Sequence, residues 1–286
     1  MSEDFGSQGL KPSHPELLDY LAVTFRDDYQ WRIKKLLKLV VMSETYRQSS
    51  KVSPTLQRKD PANRYLARGP RVRLTAEQVR DQSLAVSGLL SLKMYGKSVM
   101  PPQPDGVWMV VYNGKQWKTS KGEDAYRRAL YTFWRRSVPY PSMMTFDAAA
   151  REVCQSRRIR TNTPLQALVT LNDTVYITAA RGLADKMAKA GGSTENQMKQ
   201  GYRLAVFKEA NPSMLKVLGD LYQKADAYYR EKPEEAAAMM GKKPTKPRTV
   251  QAVSNQSDNL PELRHRACLT VAANAILNLD EFVMKE

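Results

Sequence analysis

Arg151, Arg157, Arg158 and Arg160 crowd the stretch 151–160, REVCQSRRIR. A guanidinium presents a planar fork of donors that grips a carboxylate or phosphate by two bonds at once. Asn162 and Gln166 follow on the same arm and add neutral amide donors and acceptors. Together these six residues form a candidate anion-binding site. A second reading stands beside it. The same arginines can tie the PPQP loop at 101–104 to the corner that follows, through Asp and carbonyl contacts, and so hold the fold rather than a ligand. Upstream, Tyr126, Tyr131, Phe133 and Trp134 could stack on the bases of single-stranded nucleic acid. At helical spacing the same aromatics fill a core.

Bond-breaking chemistry finds little to use. His14 and His265 are the only histidines, and no HExxH pair exists. No Gly-rich phosphate loop follows a strand, and there is no G-x-S-x-G elbow. Asp105, Asp147, Glu152 and Asp173 lie near the loop and the corner, where helix caps and arginine partners account for them. Cys154 and Cys268 stand outside any CxxC or CxxCH, so zinc-knuckle and covalent-haem motifs are absent. They read as free thiols, although a fold that brings them together would let them pair. No catalytic, cofactor-binding or metal-binding residue is assigned.

The elements that must position the arm are mostly helical. Thr163-Pro164-Leu165-Gln166 is a helix start in which Thr163 caps, Pro164 takes the first position and Gln166 reaches back to the cap. An apolar helix follows through Leu165, Leu168, Val169 and Leu171. Asn172-Asp173 stops it and caps a second helix to about 189, a helix–turn–helix corner over 163–189. Upstream, 31–48 predicts an amphipathic helix with Ile33, Leu36, Leu37, Val40 and Val41 buried and Arg32, Lys34, Lys35 and Lys38 facing away. Thr75-Ala76-Glu77-Gln78 is a capping box that opens a helix to about 90. Residues 107–117, with Asn113-Gly114 at the tip, predict a β-hairpin. The pattern over 126–136 predicts a helix with Leu130 inward and Arg127 outward. The expected fold is mainly α: an irregular helical domain with long loops and one small hairpin over 1–190, then a C-terminal helical subdomain over 191–286 containing a polar linker at 241–258.

The formal net charge is +16, and it is unevenly placed. Residues 1–30 carry −4, 31–100 carry +11, 101–190 carry +7 and 191–286 carry +2. Such a field favours an acidic partner, whether nucleic acid, an anionic membrane surface or an acidic glycan; a merely well-solvated surface is the alternative. The first residues, MSEDFG, are acidic and polar, unlike a signal peptide, and no apolar run reaches the length of a membrane span.

Several blocks carry a family resemblance: DFGSQGLKPSHPELLDYLA, SETYRQSS, DPANRYLAR, RLTAEQVRD, PPQPDGVW, YRRALYTFWRRSVPYPSMMTFDAAAREVCQSRRIRTNTPLQALVTLND and LNLDEFVMKE. In this order they resemble the planctomycete-specific PSD-one domain of unknown function. The resemblance implies a C-terminal module of a larger exported protein of the periplasm or cell envelope. There a cytochrome c-type domain and a second uncharacterised domain precede it. Haem c would then belong to that upstream domain, with no cofactor in this chain. No catalytic residue comes with the resemblance.

The chain starts at a point where the family has a further upstream stretch, so it reads as an N-terminally truncated fragment. An apolar patch near Leu17, Leu21 and Phe25 is then expected. Three functions follow as expectations. The first is an uncharacterised binding or structural module with a basic surface, whose partners are the upstream domains or acidic glycans. The second is a nucleic-acid-binding module using the 163–189 corner. The weakest is a glycan hydrolase.

Overall fold

The structure, a computed structural model of the chain, describes residues 8–9, 11–104, 106–107, 116–155, 157–242 and 260–285. All but the margins of the expected hairpin (107–117) and of the expected linker (241–258) lie outside the described residues. The fold is mainly α, as the periodicity predicts. Contacts divide it into two units: Met1–Val72, Cys154–Arg158 and Met284–Glu286 in the first, Arg73–Val153 and Ile159–Val283 in the second.

The first unit carries four helices, α1 (Pro15–Val23), α2 (Ile33–Met42), α3 (Glu44–Arg47) and α4 (Pro54–Lys59). Local chemistry starts them. Ser43 and Ser53 accept hydrogen bonds from the backbone N–H groups of Tyr46 and Leu56, and proline occupies the first turn of α1 and α4. None of the four has a buried residue. The apolar stripe expected to be buried on α2 is therefore largely in solvent: Ile33 is 63% exposed and Leu37 55%. Periodicity shows that a helix has an apolar face; it does not supply the surface that covers it.

Order in the loop after α4 comes from Asp60. Its carboxylate accepts from the N–H groups of Arg64 (2.8 Å) and Tyr65 (3.0 Å), while the Arg68 guanidinium donates to the Asp60 and Pro61 carbonyls. The Tyr65 bond leads in holding the Asp60 carboxyl below the usual range. Gly69 passes so close to Gln48 that an added Cβ would lie 2.4 Å from the Gln48 carbonyl oxygen, so no side chain fits there.

The second unit holds α5 (Ala76–Ser87), α6 (Pro141–Thr145), α7 (Pro164–Asn172), α8 (Thr174–Lys189), α9 (Thr194–Val206), α10 (Pro212–Glu231), α11 (Pro233–Met239), α12 (Leu260–Leu277) and α13 (Asp280–Val283). The Thr75 capping box forms, with both reciprocal bonds present, and Asp173 and Asn211 cap α8 and α10. Helix α8 is central: α5, α7, α9 and α12 all pack on it. Its buried face is Ala179, Ala180, Leu183, Ala184 and Met187, and α12 answers with Ala272, Ala273 and Ile276. Small residues let the two axes approach closely. Helices α10 and α11 pack on α12 through Ala225, Tyr229, Ala236, Ala267 and Cys268. Contacts run continuously from α8 into α12. Two short strands, β1 (Val72–Arg73) and β2 (Met284–Lys285), pair as a two-stranded sheet.

The helix expected over 126–136 is not formed. Short 3-10 turns at Gly122–Tyr126 and Ala129–Tyr131 stand there, and the backbone pairs instead with Ser91 and Val99. Burial then alternates every second residue: Ala125, Arg127 and Ala129 are inside, while Arg128 and Leu130 face out. Arg127 and Leu130 thus exchange the places that a helical reading assigns them.

Candidate interaction site

The corner at 159–172 is built inside out. Thr163 is the N-cap residue of α7, but its side chain makes no cap bond. Gln166, fully buried, turns away from it. Its amide donates to the Thr145 carbonyl at 3.0 Å and to the Asp147 carboxylate and Thr161 hydroxyl at 3.3 Å. Asp147, at φ 58°, also accepts from the Thr161 backbone N–H at 2.7 Å. One turn further on, Thr170 donates to Asn278 Oδ1 at 2.6 Å. The inward face of α7 is thus polar: the Gln166 Nε2 has specific partners, while its Oε1 is buried without one. The outward face carries Leu165 (57% exposed), Leu168 (55%) and Leu171 (39%), three residues at i, i+3, i+6 on one side of the helix. Ile159, 77% exposed, lies on the approach to them. Arg160 is exposed beside this approach, with one donor committed to the Arg73 carbonyl at 2.8 Å.

The sequence-derived site residues are shared between the two units. Arg157 and Arg158 belong to the first unit; Arg151, Arg160, Asn162 and Gln166 belong to the second. Arg151 sits over the Trp134 ring, 5.1 Å from its centroid, with a left-handed backbone. Asn162 is exposed, and Gln166 is a structural tie. Cys154 is exposed and Cys268 buried, both free thiols.

The strongest arginine chemistry lies elsewhere. Arg80, 1% exposed, donates to the carbonyls of Arg127 (2.8 Å) and Ala125 (3.1 Å). Its neighbour Asp81 accepts from the Ala129 N–H at 2.7 Å and lies 3.7 Å from Arg128. Arg127, also buried, donates to the carbonyls of Lys93, Tyr95 and Lys97 and stacks 3.8 Å from the Tyr131 ring centroid. The two guanidiniums act as rivets for carbonyls of irregular chain that no sheet or helix satisfies. Burial raises the Asp81 and Asp173 carboxyls above their usual range, and desolvation pushes the Tyr140 hydroxyl up to about 12. These groups are arranged for stability. Arg80 lies on a helix whose start the sequence marks at Thr75. Its spacing with Ala76, Ser83, Leu84 and Ser87 puts it on the buried face, a signal present in the pattern.

A cleft of about 730 Å³ opens beside α9 and α10, lined by Met198, Lys199, Leu215, Lys216, Gly219 and Tyr222 among others. At its floor the Tyr222 hydroxyl meets His265 Nδ1 at 2.6 Å. Burial lowers the His265 pKa and raises that of Tyr222 to about 12, so both are neutral near pH 7. Among the described residues no group of His, Cys, Asp and Glu has the arrangement of a metal site, and no helix is long and apolar enough to cross a membrane.

The helix–turn–helix reading needs α8 to enter a groove. Its polar side chains are committed inside the second unit: Arg181 donates to the Met239 carbonyl, Asp185 pairs with Arg266, and Lys186 donates to the Val86 carbonyl at 2.6 Å. Helices α5, α7, α9 and α12 pack around α8.

A family model described as PSD1, protein of unknown function (DUF1553), matches residues 1–222. No curated protein and no solved structure matches the chain.

Proposed function

We propose, for a chain that belongs to the PSD1 family of proteins of unknown function, that it is a non-catalytic interaction module and that the outward face of α7 is its docking surface. The observation that carries this reading is the inversion of α7: Gln166 and Thr170 are buried while Leu165, Leu168 and Leu171 face solvent. Holding these half-exposed leucines out of the core forgoes about half of the roughly 1.5–3 kcal/mol that full burial of each contributes. A docking partner recovers it. Arg160, exposed just before α7 in the chain, favours a partner that carries carboxylates, and an apolar centre with a polar rim is the usual anatomy of a protein interface. The partner class is therefore an apolar protein segment with acidic flanks. Within the wider resemblance, the cytochrome c-type and adjoining domains of a larger exported protein are the natural source of that segment. Acidic glycans are the second reading, supported by the net charge of +16.

The test is a binding panel read across a salt series. The probes are the isolated cytochrome c-type domain of a longer family member, heparin and a DNA duplex. The reading expects the protein probe to bind with little salt dependence. Tighter binding of heparin, or of DNA with a steep loss of affinity as salt rises, would replace it with a polyanion-binding function.

A further inference from the structure

We propose that α2 is a surface anchor that lies flat on an anionic phospholipid bilayer. On its helical wheel Ile33, Leu36, Leu37, Val40 and Val41 fall within one apolar sector, and Lys34, Lys38 and Lys35 follow beside it on the other side, with Met42 among them and Leu39 beyond. No acidic residue occurs from Trp31 to Ser43, and Arg32 adds a fourth cation at the N-cap. The apolar sector is open to solvent: Ile33 is 63% exposed, Leu37 55% and Val41 43%, with Trp31 (67%) and Met42 (60%) exposed at either end. None of the three lysines has an ion-pair partner among the described residues; Lys35 lies 5.7 Å from the Tyr29 ring centroid.

Each part of this pattern fits the bilayer interface. The apolar sector enters the boundary between headgroups and acyl chains, the lysines reach lipid phosphates at its edge, and an indole sits at headgroup depth. Ten residues of helix span about 15 Å, half the roughly 30 Å of a hydrocarbon core, so the helix can lie on a membrane but not cross it. Charge complementarity selects this occupant over a protein groove. A row of cations with no acidic residue among them suits a continuous negative surface, whereas a groove would need carboxylates placed against each lysine. A helix this short, with no buried residue, is also marginal in water and gains from a surface that covers its stripe.

The experiment is vesicle co-sedimentation of the full chain with phosphatidylglycerol and with phosphatidylcholine vesicles, with hydrogen exchange of residues 33–42 followed on each. Phosphatidylglycerol vesicles should bind the chain at least about tenfold more tightly than phosphatidylcholine vesicles and protect 33–42. Lys34→Glu/Lys38→Glu and Ile33→Ser/Leu37→Ser should each lower binding about tenfold or more, since each lysine near an anionic surface contributes roughly fivefold. Because no residue of α2 is buried, both variants should keep the wild-type melting temperature, which separates lost binding from lost fold. Equal sedimentation of wild type and both variants would overturn the proposal. So would an absence of binding to phosphatidylglycerol, or dimerisation without vesicles that Ile33→Ser/Leu37→Ser abolishes, which would assign the face to a second copy of the chain.

Discussion

Replacing Arg80 by methionine should be among the most damaging single changes in the second unit. The side chain is 1% exposed and holds two carbonyls at 2.8 and 3.1 Å, with Asp81 at 3.8 Å. A hydrogen bond to a charged group contributes about 1.5–3 kcal/mol net, so the pair is worth about 3–5 kcal/mol. Methionine fills much of the same volume, which limits a cavity contribution, but it leaves the Ala125 and Arg127 carbonyls unsatisfied. At about 2–4 °C per kcal/mol for a unit of this size, the melting temperature should fall by roughly 10 °C. Urea titration and thermal circular dichroism read the loss directly. Arg80→Lys should recover at most half, because one ammonium cannot span both carbonyls. An Arg80→Met chain whose denaturation midpoint matches the wild type would refute the riveting role of this guanidinium.

Three further outcomes are expected. Gly219 faces open space inside α10, so Gly219→Ala should raise stability by about 0.5–1 kcal/mol, whereas Gly201→Ala, whose Cβ would lie 2.6 Å from Met187 Sδ, should lower it by about 1–3 kcal/mol; thermal melts of the pair separate the two. His265 has a lowered pKa in the fold because burial disfavours its charged form, so below about pH 6.5 the unfolded chain takes up a proton that the folded chain resists. Stability contributed by His265 is therefore present above that pH and lost as pH falls through it, and His265→Gln should flatten the dependence of the urea midpoint between pH 7 and 5. Thiol titration should find Cys154, which is exposed, reacting in the native state, and Cys268, buried and with its pKa raised to about 12, reacting only on unfolding.

Helix existence was legible because it is written locally. Thr75 with Gln78, Asp173, and Asn211 before Pro212 each mark a start that forms as the cap chemistry requires. The Thr163–Gln166 box was equally plain in sequence and did not form: the Gln166 side chain is buried, its Nε2 donating to Thr145, Asp147 and Thr161, which carries its Oε1 away from the cap N–H. The same competition explains the apolar residues. Leu165 and Leu168 obey a helical period as faithfully as Leu183 and Ile276, yet only the second pair is covered, by α8 and α12 packing on each other. Residues 126–136 misled for a different reason. Burial over 125–130 alternates with a period of two, and Arg127, expected on an outer face, was recruited to hold loop carbonyls. Of the proposed anion site, the arginine-rich composition was visible, but the division of Arg157 and Arg158 from Arg160 and Gln166 depends on long-range contacts that no local pattern carries.

The central claim is that Leu165 and Leu168 serve a partner rather than the core, and one paired measurement on Leu165→Ser/Leu168→Ser addresses it. Both side chains are about half exposed, so the fold should lose less than about 1 kcal/mol in urea titration. Covering the two on docking is worth about 2–3 kcal/mol, so affinity for the cytochrome c-type domain should fall roughly 30- to 100-fold in calorimetric titration. Unchanged stability with that loss of affinity is the predicted result. A double variant that unfolds readily, or one that binds the domain as tightly as the wild type, would contradict the account.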